Sequence, residues 1–113
     1  MTTYSSNKLA DKYVTNREPF KGSNTWGEWI FNPNQGDGLY VVFSYGYHFP
    51  MYVWDELLGL WFANEDKYSR STTRQQSLLR PNTSIIHYIK TNEMKDLISA
   101  GSVAEWTIQK AQN

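Results

Sequence analysis

The distribution of large aromatic residues constrains the fold of this 113-residue chain more than any other feature. Residues 26–63 contain four of the five tryptophans, four of the five phenylalanines and half of the eight tyrosines, in short runs typical of strands. Residues 64–82 contain a single aromatic, Tyr68, and are rich in hydroxyl, amide and cationic side chains. Because aromatic and β-branched side chains pack well on a pleated surface, the first segment predicts the body of a small sheet. The second segment predicts an exposed polar surface.

Length, charge and residue types limit the classes of function. A chain of 113 residues favours one domain, and its 11 lysines and arginines balance its 11 aspartates and glutamates. No overall field therefore attracts nucleic acid or an anionic membrane, and any such attraction has to be local. No apolar run approaches the roughly 20 residues of a membrane span, and residues 1–7 lack the apolar core of a signal peptide. We therefore expect a cytoplasmic protein without membrane contact.

The cysteine and histidine content restricts cofactors. The absence of cysteine excludes disulfides, thiolate nucleophiles and cysteine-ligated zinc. The two histidines, His48 and His87, are too few to build a histidine metal site by themselves. We expect no metal and no other cofactor.

The N-terminal segment, residues 1–25, is polar and shows only a weak helical spacing of apolar residues. It predicts a short helix or a loose arm, which Pro19 and the polar residues after it would end. We place the domain itself at residues 26–113.

Strand and turn signals follow in order. Residues 26–31 and 39–48 predict two strands joined by the turn-rich segment 32–38, and the longer run predicts the central strand. Its alternation places Leu39, Val41, Phe43 and Tyr45 on one face, with Tyr40, Val42 and Ser44 on the other. Gly46 indicates a bulge, a positive φ angle or a close approach of backbone, and the chain is expected to turn near His48.

The remaining elements predict a hairpin and then helices. Residues 51–54 and 60–63 flank Asp55–Gly59, whose acid and glycine suit a type I turn closed by a left-handed residue. Residues 84–89 are β-branched enough for another strand, and a buried helical turn is the alternative. Thr91 is placed to cap a helix over residues 92–100 that ends at Gly101, and Ser102 to cap a last helix that buries Val103 and Trp106. The sequence predicts a single-domain α+β fold, with an antiparallel sheet of about four or five strands and C-terminal helices packed on it.

Several motifs together carry a resemblance. The run from Tyr40 to Asp55 contains Ser-Tyr-Gly-Tyr-His-Phe-Pro, and it is followed by Tyr68-Ser69, Thr72-Thr73-Arg74 and Arg80-Pro81. This pattern resembles a family of short uncharacterised proteins from phages, plasmids and bacteria, over residues 26–101. The resemblance implies an origin on a mobile element rather than a chemistry. Where the family often has a histidine this chain has Gln75, which weighs against a general base or metal ligand there.

The basic segment is the first candidate binding site. Its cations are surrounded by hydroxyl groups, a combination that suits phosphate oxygens because a guanidinium group offers a planar fork of donors and a hydroxyl donates without adding charge. The residues concerned are Lys67, Tyr68, Ser69, Arg70, Thr72, Thr73, Arg74 and Arg80. The alternative is a solvated surface loop whose hydroxyls cap a short helix over residues 73–79.

The second candidate site is the strand end around Tyr47 and His48. A histidine at a kink is suited to acid or base chemistry, yet no serine, cysteine or carboxylate lies at a recognisable spacing from it. A structural role for His48 is therefore favoured. Exposed aromatics such as Tyr47, Tyr52 and Trp54 could instead anchor a protein or stack on bases.

Three functions remain open after these observations. The favoured one is a small non-enzymatic binding protein of a phage or mobile element, whose partner is a host protein and which could inhibit host defence. The alternative is a nucleic-acid- or phosphate-binding module that uses residues 67–80, and the third is a small enzyme that uses His48. A homodimer through an exposed edge strand near Pro50 or Trp26 is a further hypothesis.

Overall fold

A mixed sheet whose strands follow their sequence order forms the centre of the fold. The structure, a computed structural model, describes residues 3–4, 10–22, 24–30, 38–67 and 70–111. Within these residues the strands are β1 (Thr3–Tyr4), β2 (Phe20–Lys21), β3 (Thr25–Ile30), β4 (Leu39–Ser44), β5 (Gly46–Asp55), β6 (Leu60–Asn64) and β7 (His87–Ile89). Strands β2 to β6 pair antiparallel, whereas β1 and β7 join the two edges in parallel.

The expected α+β class and single domain are confirmed. The number and the direction of the strands differ from the prediction. It is mixed rather than wholly antiparallel, and its described part has seven strands instead of four or five. The additional strands β1 and β2 are only two residues long. Segments of that length carry no measurable alternation, so their pairing is decided by the surrounding packing.

Helices cover both faces of the sheet. The described helices are α1 (Ala10–Thr15), α2 (Arg70–Leu78), α3 (Thr91–Ala100) and α4 (Val103–Ala111). One apolar cluster joins the sheet to α3 and α4 through Met94, Leu97 and Trp106. The other cluster, on the opposite face, includes Val14 of α1 and Leu79 directly after α2. None of the helices in the described part of the chain has the length and apolar character needed to cross a membrane.

Strand β4 is the buried centre of the sheet, as its composition predicts. All six of its residues are buried, because each face of the strand meets one of the two apolar clusters. Leu39, Val41 and Phe43 face α3 and α4, while Tyr40 and Val42 face the other side. The expectation that Tyr45 shares this burial is wrong, since its side chain is 55% exposed.

The chain reverses at Tyr45, earlier than the expected turn near His48. Tyr45 has a φ of 62°, Gly46 begins β5, and Ser44 is paired with Gly46 across the reversal. The run through this point is aromatic and β-branched and has no Asn-Gly or proline signal, so its local sequence favours an uninterrupted strand. The turn is held from outside the run, because the Tyr45 N–H donates to the Asn24 carbonyl at 2.8 Å.

The second hairpin has the predicted turn. The Gly59 N–H donates to the Asp55 carbonyl at 2.8 Å, and Gly59 has a left-handed φ of 65°. The Asp55 carboxylate also accepts the Leu58 N–H at 2.8 Å. The other predicted turn, at residues 32–38, lies outside the described residues except for Gly38.

The segment before residue 25 contributes to the core. Val14 and Phe20 are fully buried, and the Tyr40 hydroxyl donates to the Glu18 carbonyl at 2.6 Å. The strands that contain Trp26 and Pro50 each have neighbours on both sides, so the expectation that either is an exposed edge is wrong. The edges of the described sheet are β1 and β7.

The C-terminal helices begin and end where the sequence predicts, except that α3 begins one residue earlier. Thr91 is the first residue of α3 rather than its cap, and Gly101 ends the helix with a φ of 88°. The Ser102 hydroxyl oxygen accepts the Glu105 N–H at 3.1 Å, and Val103 and Trp106 are buried as expected. The predicted strand at 84–89 is confined to His87–Ile89.

Candidate functional site

A buried polar network, here called the polar junction, fastens α2 and α3 to the end of β6. The Asn64 amide donates to the Pro50 carbonyl at 2.8 Å and to the Thr91 hydroxyl at 2.9 Å. The Gln76 amide donates to the carbonyls of Asn64 and Asp66 at 3.0 and 3.1 Å. Asn64, Gln76 and Thr91 are each at most 5% exposed. Since no described buried side-chain nitrogen or oxygen lacks a partner, the junction is a structural anchor.

Asp66 connects the polar junction to the start of α3. Its carboxylate accepts the Thr91 N–H at 2.8 Å, and its own N–H donates to the Asn64 side-chain oxygen at 2.8 Å. The backbone and hydroxyl hydrogen bonds from Thr91 lower the pKa of Asp66, because they favour the ionised carboxylate. An acceptor at the first turn of α3 also satisfies one of the free N–H groups of the helix.

Two hydrogen bonds, one to a side chain and one to a backbone carbonyl of α2, attach this helix to the sheet. The buried hydroxyl of Ser44 donates to the side-chain oxygen of Gln75, and the Tyr52 hydroxyl donates to the Gln76 carbonyl. Tyr52 is 4% exposed, and burial raises its pKa. The Ser44–Gln75 bond brings together the strand end and the basic segment, the two parts of the pattern on which the resemblance rests. Gln75 is thus a buried packing residue.

The solvent side of α2 and its approach form what we call the cationic face, made of Lys67, Arg70 and Arg74. All three are exposed, and α2 itself contains no acidic residue. Lys67 donates to the Gln76 side-chain oxygen at 3.0 Å, while no described carboxylate forms an ion pair with Arg70 or Arg74. A local positive surface therefore exists on a chain of zero net charge.

The other residues of the predicted basic site are placed differently. Arg80 follows the far end of α2 and donates to the Thr83 carbonyl at 3.3 Å. The helix rises about 12 Å between Arg70 and Leu78 and Arg80 lies beyond its end, so Arg80 does not belong to the cationic face. Thr73 is exposed on α2. Tyr68, Ser69 and the side chain of Thr72 lie outside the described residues.

At the turn between β4 and β5 lies the aromatic bend, which we define as Tyr45, Tyr47 and His48. Tyr47 is 67% exposed, and its ring packs edge-on against Trp26 and Phe43, with centroids 5.2 and 4.9 Å apart. The nearby Glu28 carboxylate raises the pKa of Tyr47. A ring fixed by two others and still open to solvent is a preorganised contact point.

Among the described residues, neither histidine forms a hydrogen bond or an ion pair with a carboxylate. His48 is exposed, and Asp55, the acid nearest to it in sequence, lies at the other end of β5. Asp55 is bonded there to the N–H groups of Leu58 and Val103. His87 is exposed and stacks on Phe62 at 5.4 Å. The described residues contain no group of three His, Asp or Glu side chains arranged to hold a metal.

Trp54, the last of the predicted site residues, belongs to a separate cleft of about 400 Å³ at the opposite end of β5. Its indole N–H donates to the Glu56 carboxylate at 2.7 Å, and the Arg17 guanidinium carbon lies 4.5 Å above its ring centre. Sequence reasoning did not anticipate Arg17. The sequence contained one signal for it: a short helical pattern ends at Asn16-Arg17, where the end of a helix usually has glycine.

No protein-family model matches this chain, and neither a curated protein nor a solved structure shows significant similarity to it. The functional argument therefore rests on the residues and their geometry.

Proposed function

We propose that this chain is a small non-enzymatic binding protein of a phage or other mobile element. It contacts a partner macromolecule through two exposed surfaces at the same end of the sheet, the cationic face and the aromatic bend. The observation that carries the proposal is the buried Ser44–Gln75 hydrogen bond, because it fixes α2, with its exposed arginines, at the end of the sheet where the β4–β5 turn exposes its tyrosines.

The chemistry of these surfaces is that of an interface. Tyrosine and arginine are enriched among residues that dominate binding energy, since both offer a large contact area together with polar groups. Arg70 and Arg74 have no ion pair to break with the described residues, so a partner's acidic groups would meet cations free of competing carboxylates. The supporting aromatics Trp26 and Phe43 hold Tyr47 in place, which reduces the entropy lost on binding.

The partner that we favour is a host protein with an acidic patch. A mobile-element protein of this size can act by covering a functional surface of a host enzyme, and inhibition of host defence is one such role. Binding of this kind needs no catalytic group.

Affinity capture from the host lysate tests the proposal. The tagged chain should recover a specific host protein, and the paired change Arg70→Ala with Arg74→Ala should reduce that recovery by about tenfold or more. Tyr47→Ser should reduce it independently, because it removes the aromatic contact without touching charge.

Two matched variants control for nonspecific effects. Lys95→Ala removes an exposed cation from α3, on the other face of the sheet, and Tyr88→Ser removes an exposed tyrosine from β7. Both should leave capture unchanged. Recovery of the bait alone, or equal loss with the control variants, would rule out the proposed surfaces.

Nucleic acid is the alternative partner, and the acid-free composition of α2 favours it. Three exposed cations and nearby aromatic rings are the elements of a backbone-binding and base-stacking surface. Fluorescence anisotropy with a short single-stranded oligonucleotide at low and moderate salt tests it. Arg70→Ala and Arg74→Ala should each lower the slope of log K against log salt by about one unit. Absence of binding at low salt would eliminate this alternative.

A further inference from the structure

Arg17 has a backbone conformation that suits glycine. It follows α1 with a φ of 55°, in the left-handed region that a side chain disfavours sterically. The Glu18 N–H donates to the Tyr13 carbonyl at 2.8 Å, and the Arg17 N–H to the Val14 carbonyl at 3.0 Å. These two bonds form a Schellman motif, in which the left-handed position is usually glycine. The chain therefore keeps an arginine where glycine would fit with less strain.

The surrounding structure holds this arginine in place and directs it to a cleft. The Arg17 carbonyl accepts the Trp29 indole N–H at 3.0 Å, which fixes the backbone. Its guanidinium stacks over the Trp54 ring at 4.5 Å, and one of its nitrogens donates to the Thr15 carbonyl at 2.9 Å. Unusual backbone conformations persist mainly where the surrounding contacts enforce them, and they concentrate at ligand sites.

The cleft has the size and lining of a small-molecule site. Its volume of about 400 Å³ lies within the range of ligand pockets. The Trp54 and Trp61 rings, 5.3 Å apart, form one wall, and Pro81 and Ile85 supply further apolar surface. Arg17 is the one charged residue among the lining residues, which are Thr15, Arg17, Trp54, Gly59, Leu60, Trp61, Pro81, Asn82, Thr83 and Ile85.

Polar groups at the rim of the cleft can orient a bound ligand. The Asn82 N–H donates to the Thr15 hydroxyl at 2.9 Å, which ties the segment after α2 to the end of α1 and completes the wall of the cleft. Asn82 and Thr83 also line the space beside Arg17. An arginine fork next to amide and hydroxyl groups is suited to an oxyanion, because all of them can donate hydrogen bonds.

We propose that this cleft binds a small organic anion, a flat ring that carries a carboxylate or a phosphate. The ring packs against the Trp54 edge and the apolar wall, while the oxyanion is held by Arg17. The site lies at the opposite end of β5 from the aromatic bend, so it is independent of the partner surfaces proposed above.

An NMR titration of the tryptophan indole N–H signals tests the proposal in the intact chain, with the Trp54 signal assigned from Trp54→Phe. The probes are adenosine monophosphate, uridine monophosphate and indole-3-acetate, each compared with its uncharged counterpart: adenosine, uridine and indole-3-acetamide. At least one anion should shift the Trp54 signal saturably, with about tenfold or tighter binding than its counterpart. The phosphate and carboxylate arms distinguish the two sources of the oxyanion.

Variants of Arg17 separate binding from folding. Arg17→Gly should weaken anion binding by about tenfold or more while the melting temperature stays equal or rises, because glycine adopts the left-handed conformation without strain. Arg17→Lys keeps the charge and should bind with intermediate affinity, since it lacks the planar fork. Arg74→Gln, a charge removal outside the cleft, should leave anion binding unchanged.

Three results would overturn the proposal. These are no saturable shift of Trp54 with any anion up to about 10 mM, equal binding of the charged and uncharged probes, or undiminished binding by a folded Arg17→Gly variant. Partner capture by Arg17→Gly should remain intact, so a failure here is distinguishable from a failure of the proposed function.

Discussion

Gly27 and Gly46 differ in what a Cβ added at each position would meet. A Cβ on Gly27 would collide with the Tyr40 hydroxyl and would lie 2.7 Å from a ring carbon of Phe20. Both neighbours are fully buried and cannot withdraw without moving the core. We predict that Gly27→Ala lowers the free energy of unfolding by about 2 kcal/mol, as overpacking of a core does, measured by urea denaturation.

Gly46 provides the matched control. A Cβ there would lie 2.6 Å from the His48 ring, so the close approach expected from the sequence is present, whereas the positive φ belongs to Tyr45. Because the His48 ring is exposed and can rotate away, Gly46→Ala should cost less than about 1 kcal/mol. A larger loss for Gly46→Ala than for Gly27→Ala would contradict this account of the two positions.

At Tyr45 a residue with a large side chain has a backbone conformation that favours glycine. Its φ of 62° is strained for a residue with a Cβ, and its side chain is exposed, so little packing compensates. We predict that Tyr45→Gly keeps the free energy of unfolding the same or raises it by up to about 1 kcal/mol. The same change should weaken partner capture if the aromatic bend is an interface. A clear fall in the melting temperature would show that the tyrosine ring stabilises the turn.

At the scale of elements, the start of α3 depends on a carboxylate from another part of the chain. Asp66 contributes stability because the Thr91 hydrogen bonds lower its pKa below the ordinary value of about 3.9. This contribution is complete above that value and is lost as the pH falls through the lower pKa of the folded state. Asp66→Asn should therefore cost about 1 kcal/mol at pH 7, and the difference from the parent chain should shrink below about pH 4.

Thermal melts at pH 7 and at pH 3 check this prediction. Asp96→Asn, an exposed change of the same type on α3 itself, is the control and should have little effect at either pH. A penalty for Asp66→Asn that is unchanged at pH 3 would show that the ionised carboxylate is not what supports the helix.

The hairpin at residues 51–63 shows how far local sequence determines an element. Its turn is encoded within five residues, where Asp55 accepts from Leu58 and Gly59 supplies the left-handed conformation. The second role of Asp55, accepting the Val103 N–H at 2.8 Å, depends on a residue 48 positions away. No local pattern contains that contact. The same holds for Asn64, whose amide joins β5 to α3 and which reads in the sequence only as the end of a strand.

At the scale of the whole molecule, the sequence predicted the features that large side chains determine. It missed the features that depend on contacts between residues far apart in the chain. The central strand, the α+β class and the C-terminal helices follow from aromatic runs and helix ends. The candidate site was predicted in its parts, since the exposed Arg70, Arg74 and Tyr47 were all named. Tyr52 was expected at the surface and lies in the core, because alternation alone does not show which face of the sheet α2 covers.

The boundary predicted at residue 26 leads to a direct experiment on the whole fold. Residues 10–22 supply two fully buried side chains, Val14 and Phe20, and the Glu18 carbonyl that accepts from buried Tyr40. Removing a buried phenylalanine alone costs roughly 3 to 5 kcal/mol, against a total stability of about 5 to 15 kcal/mol for a typical domain.

We therefore predict that a chain truncated to residues 26–113 loses its cooperative unfolding transition, monitored by near-ultraviolet circular dichroism of the tryptophans during a thermal melt. In the full chain, Phe20→Ala should lower stability in the same direction while Lys12→Ala, an exposed change on α1, leaves it unaltered. A truncated chain with a sharp transition near that of the parent would mean that the N-terminal segment is dispensable. In that case Arg17 could be deleted together with the segment, and its absence would give a second test of the cleft.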